Sequence, residues 1–222
     1  LSNTYLSFPF MVITLHFQSV HTWLWIAKVS SHLFLIVDLK VLHQPLPVVG
    51  VGPGGRRSVL ARVSIVDYFG QCLFDSFVKV EERVTDYRHH VTGICPTDLT
   101  SGSALPFGVC RQQVISLIRN KVLVGHGLEN DLAILGIHHP WFAIRDTSIY
   151  YPFQKQDRNG RICPSRLCHL AKIHLGIEIQ KHGQPHCPIE DACAAMALYR
   201  KNQLHWDNFM DLQRCNSMQN YR

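Results

Sequence analysis

The stretch SVLARVSIVDYFGQCLFDSFVKV (58–80) contains two runs rich in β-branched and aromatic residues, joined at Asp67-Tyr68-Phe69-Gly70. Such residues favour strands, and glycine readily adopts the positive φ that a tight turn requires. The stretch therefore predicts a β-hairpin. A third strand is expected just before it, at 48–51 or slightly earlier.

After this hairpin and an irregular stretch, helix and strand patterns alternate. Apolar residues at helical spacing predict helices, and Gly136, Gly176 and Pro188 provide helix ends and a helix start. The predicted elements are the helix FGVCRQQVISLIRN (107–120), the strand KVLVG (121–125), and the helices LENDLAILGI (128–137), SRLCHLAKIHLG (165–176) and PIEDACAAMALYRKNQ (188–203). Strands first as a meander and then alternating with helices predict an α/β fold, with a mixed sheet covered by helices.

Length and composition predict one globular domain with an appendage. The chain has 222 residues, 46% of them hydrophobic and 17% charged. Lysine and arginine outnumber aspartate and glutamate by 22 to 16, for a formal net charge of +6. This basic balance favours polyanionic partners without identifying one.

The cysteines and histidines do not predict a zinc site. Eight cysteines are scattered without a C-x-x-C pair, whereas zinc sites usually contain such pairs. We expect mostly buried, reduced thiols in an intracellular protein. The adjacent pairs His89-His90 and His138-His139 are expected at the surface or at helix caps, because neighbouring side chains point apart.

Residues 1–47 differ in character from the rest of the chain. They are mostly apolar, with no formal charge up to Ala27. A membrane span needs about 20 predominantly apolar residues, but polar residues interrupt this segment and it has no lysine-rich flank. A membrane segment is therefore not favoured, and a secretory signal is not evident either. Because the chain begins with leucine, we expect a fragment, a processed form or the product of a misread frame.

Two segments place acidic residues near the start of predicted helices. VLVGHGLENDLAIL (122–135) carries Asp131, and HGQPHCPIEDACAAM (182–196) carries His186 and Asp191, which lie five residues apart across a helix start and can face one point. The alternative is a structural role, because acidic residues in a first helical turn are stabilised by the helix dipole. The neighbours Glu129 and Glu190 fit that alternative equally well.

Several of these segments together resemble one enzyme family. The matching text is VGVGPGG (49–55), LARVSIV (60–66), VTDYRHHVTGI (84–94), LVGHGLENDL (123–132), IRDTS (144–148) and HCPIEDACAAMALYR (186–200). It is similar to the RNA exonuclease 4 branch of the DEDDh 3′–5′ exonucleases, relatives of the interferon-stimulated exonucleases. The resemblance covers about 48–207 and implies a ribonuclease-H-like mixed β-sheet flanked by helices, with 1–47 as an atypical segment and 208–222 as a C-terminal tail.

The resemblance implies a two-metal mechanism. In the family, four carboxylates hold two divalent ions, Mg²⁺ or Mn²⁺, and a histidine acts as general base. Asp131 matches the aspartate of the second motif, Asp191 that of the third motif, and His186 the base. A histidine with an unperturbed pKa of about 6.5 suits proton transfer near neutral pH, and hard oxygen ligands suit these ions.

The family segment VTDYR…SGI lies close to the 3′ end of the substrate. The resemblance therefore makes Asp86, Tyr87, Arg88 and Gly93 candidates for positioning the terminal nucleotides. Stacking on an aromatic ring and a phosphate contact from arginine would hold a single strand without reading its sequence. The alternative for these residues is a packed turn with Tyr87 half-buried.

The first motif of the family is missing from its expected place. Counting back from Gly50, the Asp-x-Glu positions fall on Pro45 and Pro47, which have no carboxylate. Asp38 follows an apolar run and is an alternative ligand, but Lys40 stands where the glutamate is needed and would repel a cation. The spacing from Asp38 to the glycine turn is also longer than the family pattern. The two-ion site is therefore expected to be incomplete, with turnover reduced by orders of magnitude.

Three functional hypotheses follow. The first is a 3′–5′ exoribonuclease-like domain in the nucleus or nucleolus that acts in ribosomal RNA maturation, with doubtful catalytic competence. The second is a module that binds single-stranded RNA or DNA 3′ ends without cleaving them. The third, a membrane-tethered form, depends on the apolar segment at residues 1–41.

Overall fold

The computed structural model describes residues 49–219 and the backbone of Phe34–Leu39. A mixed five-stranded sheet lies at the centre, in the order β5-β4-β1-β7-β8. Its strands are β1 (Phe34–Leu39), β4 (Arg62–Asp67), β5 (Cys72–Phe77), β7 (Val122–Gly125) and β8 (Ile144–Asp146). β1 runs antiparallel to β4 and parallel to β7. The central position of β1 makes it the strand that links the hairpin to the parallel half of the sheet.

The helices follow the predicted pattern closely. They are α1 (His89–Thr92), α2 (Pro96–Thr100), α3 (Phe107–Ile118), α4 (Leu128–Leu135), α5 (Leu167–Leu170), which continues as a π-helical turn over Ala171–Leu175, and α6 (Pro188–Gln219). Gly136 and Gly176 adopt positive φ at two of the helix ends, as expected. α6 is longer than predicted and continues past residue 207.

The hairpin strand β4 is buried on both faces. Val63 and Ile65 pack on one side of the sheet with residues of α3 and α4. Val66 packs on the other side with α5 and α6. Two covered faces explain why this strand reads as a nearly continuous apolar run, and they give the domain a helix–sheet–helix architecture.

The layer formed by α5 and α6 has an aromatic core. Tyr150 stacks on Trp206 with ring centroids 3.8 Å apart, and Tyr199 meets the same indole edge-on at 5.8 Å. The alanines Ala192, Ala194 and Ala195 of α6 are buried, which lets this helix approach the sheet closely. α6 is thereby anchored to the sheet near its N-terminal end.

The strand predicted at 48–51 is present as β2 (Val49–Val51), but it does not belong to the main sheet. It pairs with β3 (Arg57–Val59) and β6 (Val84–Asp86) in a separate three-stranded sheet. The strand beside the hairpin in the main sheet is β1, further back in the sequence. The sequence predicted this strand but not its partners, because strand pairing is a non-local choice that a short apolar run does not specify.

A two-stranded sheet completes the described secondary structure, with β9 (Lys155–Gln156) antiparallel to β10 (Ile162–Cys163). No helix in residues 49–219 has the length and apolar character needed to cross a membrane. All eight cysteines are free thiols, but the expectation that most are buried was wrong. Only Cys110 is buried, whereas Cys72, Cys187 and Cys215 are exposed.

The chain divides into two units, Leu1–His32 and Leu33–Arg222. The first unit lies outside the described residues, as do Pro45, Pro47 and the predicted boundary at residue 47. The predicted boundary at residue 207 falls within α6. Both boundaries remain predictions.

Gly50 provides a stability test of the glycine turn. A Cβ added at Gly50 would lie 2.5 Å from the carbonyl oxygen of Gly55, so Gly50→Ala must displace backbone. We expect a loss of about 1–3 kcal/mol in the free energy of unfolding, measured by urea denaturation. Gly102→Ala is the control, because no atom lies within 4 Å of the added methyl group. Equal stability of the two variants would contradict this packing.

Candidate functional site

Two buried aspartates occupy equivalent positions on two helices. Asp131 is the fourth residue of α4 and Asp191 is the fourth residue of α6. Their relative exposures are 2% and 4%, whereas Glu129 and Glu190 in the same first turns are exposed. A favourable helix dipole accounts for the exposed glutamates. The dipole does not explain why the two aspartates are buried. Their burial favours a role in a binding or catalytic site.

Both helices contact the central strand. α4 and α6 each pack against β1, and α6 also packs against β7. The backbone of Asp38 lies in this strand, in register with Ser64 of β4. β1 contains Asp38, the alternative source of the first motif. This strand therefore contacts both helices that carry the buried aspartates. The side chain of Asp38, and all of Lys40, Pro45 and Pro47, fall outside the described residues.

His186 is half-buried and its backbone is fixed against α1. Its amide donates a hydrogen bond to the carbonyl of Val91, 2.9 Å away. The preceding residue, Pro185, packs on Gly93, where an added Cβ would approach the proline Cβ to 2.9 Å. The structure thus brings together the predicted base and the segment predicted to position substrate.

Arg88 makes internal contacts in this segment. Its Nη2 donates to the carbonyl of Gly55 at 3.1 Å, and its Nε donates to Asp86 at 3.3 Å. Arg88 also adopts a left-handed backbone, with φ of 46°. Tyr87 is half-buried against the small cluster that contains Val49. These contacts agree with the packed-turn alternative, and the substrate role of all four residues remains a prediction.

Asp146 has a structural role that was not predicted from the sequence. It is buried, and it accepts hydrogen bonds of 2.8 Å from the backbone amides of Gly127, Leu128 and Ser148. Two of these amides lie at the start of α4. Asp146 therefore fixes the helix terminus that carries Asp131. The segment IRDTS (144–148) could have indicated this role, because it places an aspartate at the end of a strand and before two hydroxyl residues.

The residues on either side of Asp146 extend this anchoring. Arg145 pairs with Asp207 of α6 at 2.8 Å, and Asp207 also accepts a hydrogen bond from the Tyr199 hydroxyl. Burial raises the pKa of Tyr199, and the adjacent Asp207 carboxylate acts in the same direction. Thr147 donates to the Gly125 carbonyl at 2.8 Å. The end of β8 is thus bonded to β7 and to the helix that carries Asp191.

His126, at the turn between β7 and α4, is kept neutral by its surroundings. Burial lowers its pKa, although the nearby Asp146 carboxylate acts in the opposite direction. Its Nδ1 lies 2.9 Å from the Thr147 hydroxyl. The lowered pKa favours a neutral imidazole at this turn.

The donor chemistry suits a hard divalent cation, but the set is partial. Asp131 and Asp191 offer carboxylate oxygens, the ligands that Mg²⁺ and Mn²⁺ prefer. Within the part of the chain that the structure describes, no three histidine, cysteine or acidic side chains are grouped for metal binding. The two described carboxylates could therefore supply half of a four-carboxylate site.

Curated proteins named RNA exonuclease 4 are similar to this chain. The protein from Xenopus laevis is 47% identical over 160 residues, which are 72% of this chain and 36% of the relative. The Homo sapiens protein is 45% identical over 161 residues, and the Mycosarcoma maydis protein is 44% identical over 187 residues, with 36% and 47% of the relatives covered. The chain thus spans less than half the length of these relatives. No protein-family model matches the chain.

Solved structures of Pan2 nuclease modules have the same fold. The Saccharomyces cerevisiae Pan2 pseudoubiquitin hydrolase–RNA exonuclease module in complex with A7 RNA matches with a TM-score of 0.64 and 28% identity, over 86% of this chain and 32% of that one. The Neurospora crassa Pan2 catalytic unit matches with a TM-score of 0.56 and 27% identity, over 72% and 27% of the chains. The predicted ribonuclease-H-like fold is confirmed.

Asp146→Asn tests the anchoring role of this carboxylate. The amide keeps the shape but loses the charge and one acceptor oxygen, so we expect a loss of about 2–4 kcal/mol in stability. Asp157→Asn is a matched control, because Asp157 also accepts two backbone amides but in an exposed turn. That change should cost less than about 0.5 kcal/mol. Thermal denaturation that is unaltered in Asp146→Asn would refute the role.

Proposed function

Since 160 residues of this chain form a domain of the RNA exonuclease 4 family, we propose that it acts on single-stranded RNA as a 3′–5′ exoribonuclease. The observation that carries this proposal is the pair of buried aspartates at equivalent positions of α4 and α6. The structure of the Pan2 module in complex with A7 RNA supports RNA as the ligand. The reaction is hydrolysis of the terminal phosphodiester bond.

In the proposed mechanism, Asp131 and Asp191 would hold divalent cations, and Asp38 is the third candidate ligand. Such ions, if bound, would stabilise the negative charge that develops on the attacking and leaving oxygens. His186 accepts the proton of the attacking water. The contact between His186 and Val91 keeps the base beside the segment that would hold the 3′ nucleotide.

A second candidate function is RNA binding without cleavage. It is favoured by Lys40, which stands two residues after Asp38, and by the two prolines at the positions counted back from Gly50. An ammonium group at the glutamate position would compete with a cation for the same carboxylates. The chain as it stands is therefore expected to bind RNA and to degrade it slowly.

The biological setting is also a proposal. The resemblance to the RNA exonuclease 4 branch supports ribosomal RNA maturation as the process and the nucleolus as the location. The basic balance of the chain, with a formal net charge of +6, is compatible with an RNA-rich compartment.

Restoring the missing carboxylate should reveal which segment supplies the first motif. Because β1 contains Asp38 and lies in the centre of the sheet, we expect Lys40→Glu to raise Mg²⁺-dependent degradation of 5′-labelled single-stranded RNA at least about tenfold. The double variant Pro45→Asp/Pro47→Glu should have no such effect. Rescue by the proline variant alone would show instead that the motif belongs at the positions counted back from Gly50.

Asp191→Asn tests the metal-binding role directly. Introduced together with Lys40→Glu, it should reduce degradation at least about 100-fold, because it removes a ligand charge from the site. RNA affinity measured in EDTA should change little. The control is Glu190→Gln, which alters the exposed neighbouring acid in the same helical turn. If Asp191→Asn and Glu190→Gln behaved alike, the proposed site would be wrong.

A further inference from the structure

A basic groove has a lining that includes neither Asp131 nor Asp191. It has a volume of about 610 Å³ and is bordered by β9, by α5 with its π-helical extension, and by residues 178–182. Its lining includes four permanent cations and two histidines, namely Lys155, Arg166, Lys172, Lys181, His169 and His182. All six side chains belong to exposed residues. The groove is therefore open to a ligand from solvent.

The charge of the groove is not neutralised by its own residues. Glu178 is the single acidic residue in the lining, and it pairs with Lys172 at 2.7 Å. The positive charge of Lys181 also lowers the pKa of Glu178, after the larger effect of Lys172. Among the described residues, Lys155 and Arg166 make no ion pair. An excess of cations in one concave surface attracts a polyanion.

The groove is connected to the candidate base by a short piece of chain. His182 precedes His186 by four residues, so their Cα atoms are at most about 14 Å apart. This connection is ordered at both ends, because the Gln184 amide donates to the Lys181 carbonyl at 3.1 Å and the His186 amide donates to Val91. An RNA strand with its 3′ end at His186 can therefore reach the groove.

We propose that this groove binds the phosphodiester backbone of single-stranded RNA upstream of its 3′ end. This inference rests on the exoribonuclease function proposed above and extends the substrate contact beyond the terminal nucleotides. The lining contains lysine, arginine and histidine but no phenylalanine, tyrosine or tryptophan. Binding is accordingly independent of base sequence and falls steeply as salt concentration rises.

The test compares RNA of two lengths with a charge-neutralised groove. The variant Lys155→Gln/Arg166→Gln/Lys181→Gln removes three cations and keeps the Lys172–Glu178 pair. Fluorescence anisotropy of the full chain in EDTA measures affinity for single strands of about 4 and about 12 nucleotides, a range that single-strand sites span. Affinity for the longer RNA should fall at least about tenfold, and its salt slope should drop by about 2. Affinity for the shorter RNA should change less than twofold.

A matched control separates this site from general charge loss. Lys79→Gln/Arg119→Gln/Arg214→Gln removes the same number of exposed cations outside the groove. An equal loss of affinity in both triple variants would overturn the proposal. Wild-type affinity of the groove variant for the longer RNA would also overturn it and would indicate an acidic protein partner instead.

The two proposals fail in different ways. If the unaltered chain bound RNA of neither length, the exoribonuclease function would fall together with the groove. If the groove variant bound both lengths normally and Lys40→Glu still degraded RNA, only the groove would fall. Should the triple variant not fold, the unaltered chain decides, because its salt slope must be steeper by about 2 for the longer RNA than for the shorter one.

Discussion

The arrangement of the candidate site depends on two buried charges at the end of β8. Asp146 accepts three backbone amides and holds the start of α4, while Arg145 pairs with Asp207 and holds α6. Each charge is hydrogen-bonded, because an uncompensated ion in the protein interior would cost several kcal/mol. One strand end thereby fixes two helices on opposite faces of the sheet. Asp146 fixes the first turn of α4, which carries Asp131, whereas Arg145 holds α6 at Asp207, in the middle of the helix that carries Asp191.

Burial of the two aspartates is unfavourable for their charged form unless other groups compensate for the lost hydration. The helix dipole at each N-terminus offsets part of the cost of the carboxylate charge. The remainder can be offset by hydrogen bonds, by a bound cation or by a lysine. Lys40 is the basic residue closest in sequence to Asp38 of the central strand. If Asp38 supplies the first aspartate of the family motif, this lysine stands at the position of the motif's glutamate.

Local patterns predicted the elements that local forces determine. The hairpin of β4 and β5 and the helix ends at Gly136 and Gly176 follow from turn chemistry and periodicity, and the structure has them where expected. The sequence did not predict which strand pairs with β4, because β1 and β2 are both short apolar runs and only tertiary packing selects between them. Asp146 was missed for a similar reason, because two of its three donors, the amides of Gly127 and Leu128, lie far from it in the sequence, at the start of α4. Cysteine burial was misjudged because scattered cysteines carry no periodic signal.

The contacts of Arg88 determine where attraction for a polyanion resides. Arg88 is the cation of the segment VTDYR, and its guanidinium donates hydrogen bonds to Gly55 and Asp86. Its charge is therefore partly offset by a carboxylate. The cations of the basic groove, by contrast, face a single glutamate. In the proposal made above, the groove captures RNA at long range, and the predicted role of the segment near Gly93 is to position the 3′ end. If the groove captures RNA in this way, a chain with an impaired metal site would keep its affinity for RNA. The reason is that neither aspartate belongs to the lining of the groove.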